Sequence, residues 1–359
     1  MLFFSRTLTA GETKDSLRGG ERRHTRIFAK GAIICFGPDR CYEPDALTSN
    51  GSAEWTNYVQ PSFHMNDDDR SPFGECCRNC VKVQHCTNSR GTEQILVSHI
   101  LPFFKAKTKL DGVFVELGGS DGVFDSNTIF LERCLRWKGI QIEGHPTNFA
   151  QLVLNRPGLV GIASSICEEH GLTNLDEEPG SLARGGYHMN RKKCKVPCGP
   201  LRDYMNLLEL THIDFLSLAV EGAELEVLES IDWDAFSISA MVVEELEEDA
   251  QKNEKVVDLL KSTNMTFLFR MAHDAYYVNP NFVDISRLRS NLEQNPVPQQ
   301  SPFQNAGIAE TADKCRVVFP GRHEPNDWGR GCANMTASIR ASELRHLKGL
   351  KFVGRAMGA

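Results

Sequence analysis

GVFVELGGSDG, Gly112–Gly122, joins an apolar run of strand length to a loop that holds Gly118, Gly119 and Gly122. An apolar run closed by glycine and followed by an amphipathic segment predicts a buried strand feeding a crossover helix. The alternation continues in both the strand and the helix sense. Strands are expected at Gly112–Leu117, Gly139–Glu143, Leu159–Ala163, Ile213–Leu218, Ile238–Glu244, Met265–Met271 and Ala275–Val278. Helices fit between the first five, and Ala250–Thr263 supplies another before the sixth. Only Ala272, His273 and Asp274 separate the last two strands, which demands an antiparallel hairpin at a sheet edge. The expected fold is α/β and Rossmann-like: a mostly parallel seven-stranded sheet with an antiparallel edge hairpin, over residues 111–282.

Open sheets of this kind bind ligands beyond the carboxyl ends of their strands, where glycines let backbone amides approach. A dinucleotide fingerprint counted from Gly118 needs glycine at 120 and 123, but the chain has Ser120 and Val123. Nicotinamide redox chemistry therefore ranks low. S-adenosylmethionine has a cationic amino-acid end and no phosphate, so acids beside the loop serve it better than a phosphate cradle. Glu116 and Asp121 suit that cationic end, with Gly118 and Gly122 allowing close approach. Glu143 closes the next strand, where a carboxylate can accept from both ribose hydroxyls; the competing reading is a solvated loop acid. Asn127 either reaches the cofactor or merely opens the helix Asn127–Arg136, which Asp125 or Ser126 would cap.

Four segments in order, FVELGGSDGVFDSNTIFLER (Phe114–Arg133), WKGIQIEGHPTNFAQL (Trp137–Leu152), VPCGPLRDYM (Val196–Met205) and IDFLSLAVEGAELEVLESID (Ile213–Asp232), resemble the FkbM-type methyltransferase family, in particular its Star-like branch. The resemblance implies a class I methyltransferase fold, S-adenosylmethionine as cofactor, and methyl transfer to a hydroxyl on a small molecule or glycan. It also implies an alternative, a catalytically weak or inactive Star-like protein acting in binding or vesicle trafficking. One departure bears on activity: the family pattern LSLDVEGAE stands here as LSLAVEGAE, with Ala219 in place of the acid. In a second, Gly144-His145 follows Glu143 where a proline is usual.

A general base helps a hydroxyl acceptor react. Glu221 follows the fourth strand and Glu244 ends the fifth, which makes them the catalytic candidates. Glu221 could equally stabilise the amino end of a helix over Gly222–Ser230, and Glu244 could belong to the acidic run through Asp249. His145, His188 and His273 lack a placed partner.

The rest of the chain is less informative. Net charge is −7, with no basic patch that would suggest nucleic acid as a partner. No apolar run is long enough to cross a membrane. Residues 1–70 read as a disordered, linker or targeting segment, and 71–110 as a Cys-rich segment followed by a helix. Cys76–Cys86 (CCRNCVKVQHC) could hold zinc, form disulfides or keep thiols, and no metal role is assigned. Cys194 and Cys198 could pair with each other or join that cluster. Residues 168–199 read as an insertion over the carboxyl edge, and 283–359 as a poorly patterned tail with a short helix near Ser338–Leu347. Sequons stand at Asn50, Asn264 and Asn334 and matter only in a secretory protein. The compartment stays open, with the cytoplasm favoured and a secretory or organellar site as the alternative; oligomeric state is not readable.

Overall fold

The computed structural model of the 359-residue chain describes residues 32–36, 40–42, 89, 91–105, 112–123, 125–176, 193–245, 249–297 and 351–352. The Cys76–Cys86 cluster, His188, the Asn50 and Asn334 sequons and the helix expected near Ser338–Leu347 lie outside them.

Two short strands come first, β1 (Ile33–Phe36) and β2 (Arg40–Tyr42). Then β3 (Val113–Leu117), β4 (Lys138–Glu143) and β5 (Val160–Ala163) run parallel, and their central residues are buried on both faces. A side sheet of β6 (Ser165–Ile166), β7 (Gly171–Asp176) and β8 (Lys193–Gly199) follows. The main sheet resumes with β9 (His212–Leu218) and β10 (Ser237–Glu244), and closes with the antiparallel pair β11 (Thr266–Met271) and β12 (Asp274–Val278). Its order is β11-β12-β10-β9-β3-β4-β5-β1-β2, with β13 (Lys351–Phe352) beyond β2. Each of the seven expected strands is present, and the hairpin lies at the edge as its three-residue spacing requires.

The sheet is wider than the sequence suggested. Residues 1–70 read as unstructured, yet β1 pairs antiparallel with β5, and Ile34 is fully buried in the main core. Ala32–Cys35 is too short to show a period, so only its pairing partner reveals it as a strand.

Alternate residues of each strand serve opposite cores. Val115, Leu117, Leu216, Leu218, Met241 and Val243 face one, while Phe114, Phe215, Ala240 and Val242 face the other. The first core is covered by α4 (Leu201–Leu207), α5 (Glu224–Glu229) and α6 (Ala250–Ser262). The second is covered by α1 (Thr92–Ile95), which continues as a π turn over Leu96–Ile100, by α2 (Ile129–Arg133), and by α7 (Ile285–Gln294). The helix α3 (Pro146–Asn155) joins β4 to β5 and packs Phe149, Leu152 and Val153. The tail expected from residue 283 thus opens with a packed helix: Asp284 caps α7 through Arg287 N–H, and Leu288 is buried.

The insertion 168–199 also carries structure. β7 and β8 pair antiparallel, β6 and β8 parallel, and Cys198 forms a disulfide with Cys167, with Cα atoms 5.6 Å apart. Pairing of Cys198 with Cys194 is thereby corrected. The two lie on the same strand, and it is the parallel pairing of β6 with β8 that brings Cys167, the residue after β6, beside Cys198. Among the described residues no helix is long and apolar enough to cross a membrane.

Candidate functional site

The loop after β3 crosses the carboxyl end of β9. Gly118 adopts φ +76°, its N–H donates to Ile142 O at 3.0 Å, and a Cβ there would lie 1.8 Å from the carbonyl oxygen of Ala219. Only glycine allows that approach. Gly122, at φ +80°, closes the turn by donating to Gly119 O at 2.7 Å.

Glu116 lies beneath this loop. It is 3% exposed and accepts from Asn127 N–H at 2.6 Å, Thr128 Oγ1 at 2.7 Å, Ser126 Oγ at 2.9 Å and Gln141 Nε2. A carboxylate with that many donors holds the loop from inside, so its expected contact with a cationic ligand end is replaced by a scaffolding one. Arg156 supports the same loop, donating to Gly122 O at 2.8 Å and Ser126 Oγ at 3.1 Å while paired with Glu132. The amino end of α2 is capped from another element: Glu93 of α1 accepts from Phe130 and Leu131 N–H. Burial pushes the Glu93 carboxyl up to about 8; the Phe130 N–H opposes this, the Glu116 charge adds to it, and Leu131 N–H and Arg156 oppose it.

Around the rim, Asp121 turns its carboxylate to Val123 N–H at 2.8 Å, and Asn127 Nδ2 donates to Ser217 Oγ on β9 at 3.0 Å. Glu143, at the end of β4, accepts from Ser120 N–H at 2.9 Å and His145 N–H at 2.7 Å. One acceptor position per oxygen remains. Burial pushes its carboxyl up to about 7, against the lowering effect of the two N–H groups and with a further rise from Asp121. Glu143 is thus tied to the glycine loop, and the solvated-acid reading does not describe it.

On the β9 and β10 side, Glu221 sits exposed at φ +55°. The acid that stabilises this turn is Glu224, which accepts from Val220 N–H at 3.1 Å and Gly222 N–H at 3.0 Å and forms a buried ion pair with Lys252. Helix-end stabilisation therefore belongs to Glu224, because α5 begins there rather than at Gly222. Glu244 is half-buried at the end of β10, and its Oε2 is buried without a hydrogen bond among the described residues. Burial, then the charges of Glu221, Glu224 and Asp274, push its carboxyl up to about 7 against the opposing charge of Lys252. Its neighbour Glu245 is buried and bonded to Tyr277 and Arg270, so neither of these two acids is a solvated loop residue.

The strand ends of β3, β4, β9 and β10 thus bring the glycine loop, Glu143, Glu221 and Glu244 to one edge of the sheet. Gln141, Arg156 and Glu93 were missed from the sequence. Glu93 left a signal, an acid three residues before Leu96 on the apolar stripe through Ile100 and Phe103. Arg156 left none. Among the described residues no group of His, Cys, Asp and Glu could hold a metal ion.

No curated protein matches the chain. Among solved structures it is similar to methyltransferase FkbM from Methylobacillus flagellatus KT at 12% identity, covering 58% of each chain with a TM-score of 0.33. It is also similar to a precorrin-6y C5,15-methyltransferase from Geobacter metallireducens GS-15, at 10% identity over 52% of this chain and 85% of that one, TM-score 0.30. A third is Aeropyrum pernix fibrillarin in complex with natively bound S-adenosyl-L-methionine, at 9% identity over 53% and 76%, TM-score 0.31. Residues 116–269 match the methyltransferase FkbM domain, and the strand order around them is that of the class I fold of S-adenosylmethionine-dependent methyltransferases.

Proposed function

We propose that this chain binds S-adenosylmethionine at the carboxyl edge of its sheet and transfers the methyl group to a hydroxyl of a small molecule or glycan, not to nucleic acid. The observation that carries the reading is the pairing of Glu143 with the Ser120 amide, which ties the acid after the second parallel strand to the glycine loop after the first. The residues fit the cofactor: Gly118 lets the loop close against the Ala219 carbonyl, Glu143 has acceptor capacity left for ribose hydroxyls, and Asp121 offers a carboxylate to a cationic end. Bound S-adenosylmethionine would supply the electrophilic methyl carbon. Gly118, Gly122 and Asn127 would hold the cofactor through the loop they build, and Glu116 keeps that loop in shape from below. Most of the acceleration comes from holding donor and acceptor in line. Glu244 would take the proton that the acceptor hydroxyl loses on methylation. With its carboxyl pushed up to about 7 by burial and then by the Glu221 charge, it can act at neutral pH.

Calorimetric titration with S-adenosylmethionine and its demethylated product tests the site. Both should bind, and Glu143→Ala should weaken both at least about tenfold, roughly 1.4 kcal/mol, with the fold intact by circular dichroism. Unchanged affinity would remove Glu143 from the site. Turnover should rise with pH through about 7 as Glu244 ionises. Glu244→Gln should lower kcat about 100-fold or more and flatten that limb while binding persists.

A second reading rests on Ala219, which leaves the end of β9 without the acid of the family pattern. It makes the chain a catalytically inactive, Star-like protein that keeps the fold for binding. Silence of the wild type toward both ligands would favour it.

A further inference from the structure

The methyltransferase reading leaves unused the disulfides at one end of the fold and, at the other, a sequon beside an unprotected sheet edge. Cys167 is bonded to Cys198, and Cys35 and Cys134 are disulfide-bonded as well. Bonds of this kind persist in oxidising compartments and are rare where thiols are kept reduced. In such a compartment the sequon Asn264-Met265-Thr266 acquires chemical meaning.

The fold displays that sequon well. Asn264 follows α6 on an exposed turn at φ +61°, while Met265 is buried and pins the turn to the core. The left-handed conformation accounts for an asparagine after a helix, and the side chain stays exposed there. The next residues form β11, the end strand of the sheet, with β12 on one side and no strand beyond it among the described residues. On that edge Phe267 is 41% exposed. An end strand with unpaired backbone groups and an apolar side chain invites pairing with another chain unless something covers it.

We propose that Asn264 carries an N-linked glycan, added in an oxidising secretory compartment, which shields the β11 edge and Phe267. In the modification Asn264 Nδ2 forms a bond to the anomeric carbon of a lipid-pyrophosphate-linked oligosaccharide. The sugar–phosphate bond breaks, the lipid pyrophosphate leaves, and the amide gives up one proton. Thr266 completes the recognition triplet and the folded turn leaves room for the product.

The test is peptide mapping of the full chain, expressed without any added signal in cultured eukaryotic cells. Release of glycans by an amidase in heavy-oxygen water should convert Asn264 to labelled aspartate, and a non-reducing digest should hold the Cys167 and Cys198 peptides together. An unmodified Asn264 peptide, or free thiols at both cysteines, overturns the assignment. Thr266→Ala, which keeps Asn264 and its turn, should abolish the label at that position. Enzymatic removal of the glycan from the folded protein should raise light scattering several-fold at micromolar concentration. Scattering that does not change overturns the shielding role.

Discussion

At the residue scale, the site depends on a few positions where one side-chain type is tolerated. A methyl group on residue 118 would meet the Ala219 carbonyl at 1.8 Å, and that oxygen is backbone, so neither side can yield cheaply. Gly118→Ala should therefore cost at least about 2 kcal/mol in urea unfolding, since strain at positive φ adds to the clash. It should also remove detectable binding of S-adenosylmethionine in calorimetry, and a variant with unchanged midpoint and affinity would refute this account of the loop. Glycine at 118 was legible from the chain because a strand-to-loop junction at a carboxyl edge needs it. That Glu116 points inward was not legible. Its direction depends on donors from Asn127, Thr128 and Gln141, and Gln141 belongs to the neighbouring strand.

At the element scale, the insertion after β5 shows how a segment without periodicity still acquires structure. β6 is two residues long and is defined by pairing with β8, across residues the local sequence cannot connect. The Cys167–Cys198 bond closes a loop with a sequence separation of 31 between those strands. Closing a loop of that size restricts the unfolded chain by about 3–4 kcal/mol in the chain-entropy account. Replacing both cysteines by serine should lower the unfolding free energy by up to that amount, read from chemical denaturation. No change in midpoint would mean the bond contributes nothing to stability. The element preceding the matched domain gives the complementary lesson: α1 supplies Glu93 to cap α2, so residues before 116 complete the loop scaffold.

At the scale of the whole molecule, the buried acids make stability depend on pH. Glu93 has its folded pKa raised from 4.5 to about 8, so the folded state holds a proton that the unfolded chain releases. Its contribution is therefore fully present below pH 4.5 and is lost as pH rises through about 8. Glu143 and Glu244 act in the same direction near pH 7, so the wild type should be less stable at pH 9 than at pH 6. Glu93→Gln is neutral at every pH, and in urea titrations it should gain on the wild type as pH rises from 6 to 9. A constant difference between the two curves would show that Glu93 does not titrate in this window.

The sequence by itself determined the parallel core, its order of strands and crossovers, the hairpin edge and the two acids at the ends of β4 and β10. Those features are written in local hydrophobic period, in glycine positions and in the lengths of connections, which act between near neighbours. Only the tertiary structure decided that Ile33–Phe36 extends the sheet, that Cys167 pairs with Cys198, and that Glu93 and Arg156 sit beneath the loop. Each of these is a contact between segments far apart in the chain, and neither partner carries a local pattern that names the other.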